Sequence, residues 1–306
     1  MAYRIRPQHR ADDEIRRIVI ERVDEADAAL SAPRERLAEG VHEARKRFKE
    51  IRAVLRLVRK PLGGAFAGEN TRYRDLARRL AEFREATAMV EAWDALAAAQ
   101  PRRFGSPAMA RVRARLAERA DAAAEGGGAG DDVPAVREAL AEARTAVSRW
   151  PLKGRGFGLL RPGLHRSYRD GGRRLADVSD ALTADRLHEW RKRVKDQWYH
   201  TCLFERCWRS MLGARRKALK QLSDTLGDEH DLAAMQELLA REPALFGAAP
   251  TRAAVADALG ERRGGLQHDA LLLGRRLYAE SPEALVVRWR AYWRIARAEW
   301  RRPVVF

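Results

Sequence analysis

His42-Glu43-Ala44-Arg45-Lys46-Arg47-Phe48-Lys49 and His188-Glu189-Trp190-Arg191-Lys192-Arg193-Val194-Lys195 follow one pattern at an offset of 146 residues, the difference between 188 and 42. The same offset pairs Leu80 with Leu226, Glu85 with Asp231 and Met89 with Met235, so one register holds from residue 42 to residue 89 without a gap. Further on it drifts: Pro134 falls opposite Glu280, two residues before Pro282. One such match can arise by chance in an arginine-rich chain, but matches at one offset in separate helices are much harder to produce that way. The chain reads as internally duplicated.

Within the first copy, Val41, Ala44, Phe48, Ile51, Leu55 and Val58 recur at helical 3-4 spacing and predict an apolar seam facing a core. One residue on, His42, Arg45, Lys49, Arg52, Arg56 and Arg59 repeat that spacing. Consecutive helical residues are turned by ~100°, so a basic stripe runs beside the buried seam. From His42 to Arg52 it rises about 15 Å, a line of cations suited to a linear, repeating anion. The second copy opens alike with His188, Arg191 and Lys195, but Trp198, Cys202 and Glu205 then replace the arginines. Glu43 with Arg47 and Glu189 with Arg193 have the favourable i,i+4 orientation, worth roughly 0.2–0.5 kcal/mol each. Basic helix faces are commonly just solvated. The duplication, the histidine that opens each stripe and the total charge favour ligand binding here.

Outward from the motif, helix signals dominate and alternating β-branched runs are absent, which predicts an all-α fold. Expected helices are 11–31, 34–60, 70–99, 107–125, 134–149, 163–182, 185–210, 213–240, 250–272 and 282–301. The repeat places the join in the Lys153–Gly158 segment and makes the Gly126–Gly130 run a loop inside the first half. Two antiparallel helical bundles, 1–156 and 157–306, related by a pseudo-twofold, are expected. The 306 residues carry 60 Lys and Arg against 43 Asp and Glu, a formal charge of +17. Such a surplus concentrates anions and disfavours basic partners, without choosing among nucleic acid, anionic lipid and polyphosphate. The charged start and the absence of a long apolar run predict a soluble, intracellular protein with no membrane partner.

Other motifs say less. HEARK and HEWRK begin like a zinc-protease helix but lack the second histidine four residues on. Asp228-Glu229-His230-Asp231 suits Mg²⁺ or Ca²⁺, yet such acids more often pair with neighbouring Arg and Lys, so no metal is assigned. Trp289, Trp293 and Trp300 read as a core stripe of the last helix. Cys202 and Cys207 would be roughly 7.5 Å apart along one helix, too far for a good disulfide. No P-loop, dinucleotide fingerprint or nucleophile elbow occurs, so neither cofactor nor catalytic residue is expected. Beside a binder of a linear polyanion stand two rivals: a nucleic-acid binder of low specificity and a metal-dependent phosphohydrolase using the acidic run.

The order YRIRP…EIRRIV, HEARKRFKEIRAVLRL, LARRLAEFREATAMV, SYRDGGRRLADV, LHEWRKRVKDQWY and LSDTLGDEHDLAAM resembles the CHAD family (conserved histidine α-helical domain) over nearly the whole chain. The resemblance implies paired helical bundles and a basic central surface that binds inorganic polyphosphate, with association to polyphosphate granules and granule proteins in the cytoplasm. By position it implies phosphate contacts at His42, Arg45, Lys49, Arg52, Arg56, His188, Arg191 and Lys195, with Arg173 and Arg174 in support. This sequence departs from the pattern at Trp198, where an Arg commonly precedes the Tyr, and at Arg84-Glu85, where Arg-Asp is common. Some relatives carry an N-terminal triphosphatase (CYTH) domain. Here helix is expected from about residue 11, which leaves no room for one.

Overall fold

Among the residues described by the computed structural model, every regular element is a helix and there is no strand. The backbone is described for 3–33, 36–80, 85–125 and 129–301, and the side chains for those ranges except 85–87, 123–125, 129–131 and 301. Arg84, the Glu85 side chain and 126–128 therefore lie outside the described residues. The helices are α1 (Ala11–Leu30), α2 (Leu37–Leu57), α3 (Arg59–Leu62), α4 (Ala65–Arg79), α5 (Glu85–Ala99), α6 (Pro101–Phe104) and α7 (Pro107–Glu125). They continue with α8 (Ala129–Ser148), α9 (Gly156–Asp180), α10 (Ala184–Phe204), α11 (Arg209–Arg241), α12 (Ala249–Leu277) and α13 (Pro282–Arg301).

Three differences from the sequence reading stand out. The expected 70–99 helix is two, α4 and α5, whereas α11 runs unbroken through the equivalent positions 226–231. α8 starts at Ala129 and takes Pro134 inside it, so the second part of the Gly126–Gly130 run is helical. α9 starts at Gly156, earlier than expected, and contains Pro162. Each proline forfeits one intrahelical N–H bond, and both lie near a helix start, where little helix precedes the lost bond.

Side-chain partners fix the helix directions. Arg22 meets Glu50 and Glu25 meets Arg47, so α1 and α2 run antiparallel. Arg45 reaches Ala77 and Arg52 reaches Asn70, which makes α2 and α4 antiparallel. His188 stacks on His230 while Glu205 meets Arg216, giving the same relation between α10 and α11. Across residue 156, Arg56 meets Asp196 and the Ala53 carbonyl meets His200, so α2 and α10 also cross in opposite directions.

The seam expected on α2 is buried throughout, from Val41 through Ala44, Phe48, Ile51 and Leu55 to Val58. At the repeat offset, Leu187, Trp190, Val194, Gln197 and Thr201 of α10 are buried as well. The largest hydrophobic cluster unites α1, α2, α4 and α8 with α9, Leu203, Phe204 and α13. A second joins α5 and α7 to α11 and α12. Ile5 is fully buried and donates its N–H to the Leu203 carbonyl at 2.9 Å, tying the start of the chain to α10. Trp289 and Trp293 are buried as expected, but Trp300 is 62% exposed, because its longer step along the helix places it beyond the part of α13 that packs on α9.

α9 crosses α2 with backbones almost in contact: a Cβ at Gly163 would lie 1.8 Å from the Leu57 carbonyl oxygen. Gly163→Ala should therefore destabilise the protein by about 1–3 kcal/mol, the usual range for overpacking. Gly260→Ala should stabilise by about 0.5–1 kcal/mol. It stands at an exposed α12 position with nothing within 4 Å of the added Cβ. Denaturant midpoints of the two variants check this, and equal midpoints would contradict the close crossing.

Candidate anion-binding surface

The basic stripe of α2 lies in the seams between α2, α4 and α10. His42 is exposed, while Arg45, Lys49, Arg52 and Arg56 are half-buried. Arg45 Nη1 donates to the Ala77 carbonyl at 2.8 Å, in the last turn of α4. That carbonyl is among the last four of the helix, which lie at its negative end, so a cation is favoured there. Arg52 Nε donates to Asn70 Oδ1 at 3.3 Å, and Arg59 lies over the Phe66 ring at 4.8 Å.

The stripe then meets the second motif helix. Arg56 Nη1 donates to Asp196 Oδ1 at 2.8 Å, and Arg193 Nη1 lies 3.1 Å from Asp196 Oδ2. Asp196 is buried and shared by an arginine from each copy. Burial, followed by the nearby charges of Arg56, Arg74 and Arg193, pushes the Arg52 guanidinium down to about 10, only partly offset by Asp196. Arg52 thus sits in a partly desolvated region where positive charge exceeds negative.

Sequence reading missed Asp196, and the signal was available. Asp196 stands at the repeat offset from Glu50, which is also buried and carries Arg47 at 3.0 Å, as Asp196 carries Arg193. The expected Glu43–Arg47 pair forms at 3.2 Å. Its counterpart does not. Arg193 turns to Asp196 and Glu189 pairs with Lys192, because the buried carboxylate has the stronger need of a cation.

The histidine of the second copy faces α11. His188 and His230 stack with ring centroids 4.5 Å apart, and both are half-buried. Arg191 passes over Gly227, where a Cβ would come within 3.1 Å of its Nη2. Arg191 and Lys195 are half-buried, and Trp198 carries the Lys220 ammonium 5.8 Å from its ring. Beyond it Glu205 is buried between Arg4 and Arg216, so this end of α10 is closed by ion pairs. Cys202 and Cys207 are free thiols, each pushed up to about 12 by burial. Arg173 and Arg174 are exposed on α9; Arg174 pairs with Asp177 at 2.9 Å.

The acidic run does not converge as a whole, because successive helical residues diverge by ~100°; only Asp228 and Asp231 share a face. Glu229 turns to Arg263 at 2.7 Å while His230 joins His188. Asp228 and Asp231 face Glu91 and Arg262 across a cavity of about 240 Å³. Burial and then Asp231 push the Asp228 carboxyl up. Among the described residues no group of three or more His, Cys, Asp or Glu is placed to hold a metal ion, and no helix is long and apolar enough to cross a membrane.

Burial holds His188, His230 and His200 below the ordinary imidazole range, and neighbouring cations add to the effect at His188 and His230. The unfolded chain binds protons near ~6.5 that these native imidazoles refuse. Without ligand, stability should therefore fall as pH drops from about 7 to about 5, and His188→Gln should flatten part of that slope. Urea midpoints across this range check the sign; a slope identical in wild type and His188→Gln would contradict it.

The CHAD domain family model matches residues 17–240. No curated protein matches the chain significantly. Among solved structures, the crystal structure of the CHAD domain from the plant Ricinus communis is similar, with TM-score 0.61 and 18% identity. That match covers 91% of this chain and 95% of the other, and at this identity it speaks to the fold alone. With its family match spanning both motif helices, α2 and α10, this chain belongs to the CHAD family.

Proposed function

We propose that the chain binds inorganic polyphosphate along the basic surface of α2 and α10 and catalyses no reaction. The observation that carries this reading is the excess of cations at the α2–α10 crossing, where Arg52, Arg56 and Arg193 gather around the carboxylate of Asp196. A phosphoryl oxygen would supply further negative charge through charge-assisted hydrogen bonds. His42, Arg45, Lys49, Arg52 and Arg56 form the first half of the proposed track. His188, Arg191 and Lys195 form the second, flanked by Arg173 and Arg174. The opposed directions of α2 and α10 fit two bundles, 1–156 and 157–306, related by a pseudo-twofold. A cytoplasmic protein associated with polyphosphate granules follows from the family's usual setting.

Low-specificity nucleic-acid binding is the alternative. The strongly exposed aromatic rings among the described residues are Trp208, at the start of α11 and against Tyr292, and Trp300 on α13; neither is on α2. They offer the stripe no stacking platform for bases. Long-chain polyphosphate should therefore outcompete single- and double-stranded nucleic acid at equal phosphate content and physiological salt. Equal competition would reduce the surface to a generic basic one.

Charge reversal separates the two copies. Arg45→Glu with Lys49→Glu alters a run that continues through Arg52 and Arg56, whereas Arg191→Glu with Lys195→Glu alters one that ends at Trp198. The first pair should weaken polyphosphate binding more and flatten its salt dependence more, because fewer counterions are released. Titrations at several salt concentrations, on variants shown to be folded by circular dichroism, check this. Unchanged affinity and slope in the first variant would make the stripe a solvated face.

A further inference from the structure

A second cationic site lies away from the α2–α10 crossing, where the start of α9 meets α13. An open cavity of about 760 Å³ is lined by Arg155, Arg290, Arg294 and Arg297, with Phe157 and Trp293 in its wall and no carboxylate among its described lining residues. The volume falls within the roughly 300–1,000 Å³ typical of small-molecule sites. None of the four arginines has a hydrogen bond or ion pair with a described residue, and Arg297 Nε is buried without a hydrogen-bond partner. Some arginines of this chain are bound by several carboxylates: Arg17 holds both Glu14 and Glu21, and Arg47 holds Glu25, Glu43 and Glu50. Guanidinium groups gathered around one cavity raise its positive potential where no lining acid offsets them.

The backbone adds to that potential. Gly154 and Gly156 take φ of 123° and 52°. L side chains rarely adopt such conformations. The two glycines flank Arg155, which lines the cavity. α9 begins there with no side-chain cap and no acidic residue in its first turn. The first N–H groups of this helix are thus without intrahelical partners, and the positive end of its dipole adds to the arginine charge. Arg297 Nη1 lies 3.8 Å from where a Gly156 Cβ would stand, so a guanidinium is packed against a helix start, the end that repels cations. On α13, Arg290, Arg294 and Arg297 share one face by their four- and three-residue spacing. They extend over roughly 10 Å of helix, more than one phosphate group spans.

We propose that this cavity binds a compact anion carrying several linked phosphoryl groups, such as a short inorganic oligophosphate or the triphosphate of a nucleotide. Its arginines and helix start are separate from the α2–α10 surface, so the site stands whether or not long polyphosphate lies there.

The test is calorimetric titration of tripolyphosphate into the folded Arg45→Glu/Lys49→Glu protein, which weakens the central surface. Binding should persist in that background, and adding Arg294→Gln and Arg297→Gln should weaken it at least about tenfold, as expected when two charge-assisted contacts are lost. Arg290→Gln with Arg294→Gln, both exposed, is the second variant should loss of Arg297 disturb folding; it should weaken binding in the same direction. Complete loss of tripolyphosphate binding in the central-surface variant alone would overturn the proposal. So would unchanged binding after the α13 substitutions. A parallel titration with ATP separates the sources: tighter binding of ATP assigns a nucleotide, and equal or weaker binding assigns inorganic oligophosphate. Unchanged long-chain polyphosphate binding in the central-surface variant, with tripolyphosphate binding weakened by the α13 substitutions, would count against the central surface only.

Discussion

The buried carboxylate of Asp196 is the constraint on which the α2–α10 arrangement depends. A carboxylate taken out of water must find cations. Asp196 finds one on each motif helix, Arg193 on its own and Arg56 on the other. Glu50, at the matching place in the first copy, is satisfied by Arg22 and Arg47 without leaving that half. One duplicated position thus performs two tasks: in one copy it ties α1 to α2, in the other it ties α2 to α10. Around it the contacts between α2 and α10 are set, including the His200 hydrogen bond to the Ala53 carbonyl.

The same carboxylate leaves the crossing short of negative charge. Two arginines share it and Arg52 lies close by, so the region keeps cations that are half-desolvated and incompletely neutralised. Arginine tolerates this because its guanidinium is weakly hydrated and keeps its charge at any physiological pH. A surface built this way favours an anion that can reach several guanidinium groups at once. A single small anion would answer one of them, and a chain of linked phosphoryl groups could answer a row.

Much of the fold was legible in the sequence because hydrophobic period and repeat offset are both read directly from spacing. The α2 seam, the recurring motif helix and the all-α class follow from it alone. Hidden from that reading were features that depend on what a helix packs against. Arg45 and Arg52 look like free stripe members in sequence, yet α4 supplies Ala77 and Asn70 to them. Arg193 sits four residues after Glu189 but is claimed by Asp196 once that acid is buried. The end of α4 at Arg79, where α11 continues, gives no sign in a register that runs on without a gap. The α13 cavity was equally hidden: Arg155 is far from Arg290 in the sequence, and only the fold of α9 against α13 brings them to one wall.

Whether a polyphosphate chain lies along α2 and α10 is settled most directly by a crystal structure of the protein bound to long-chain polyphosphate. The account predicts phosphoryl oxygens within hydrogen-bond distance of Arg45, Lys49 and Arg52 on α2 and of Arg191 or Lys195 on α10, with the chain passing over the Arg56–Asp196–Arg193 junction. A chain bound with these residues untouched would contradict it.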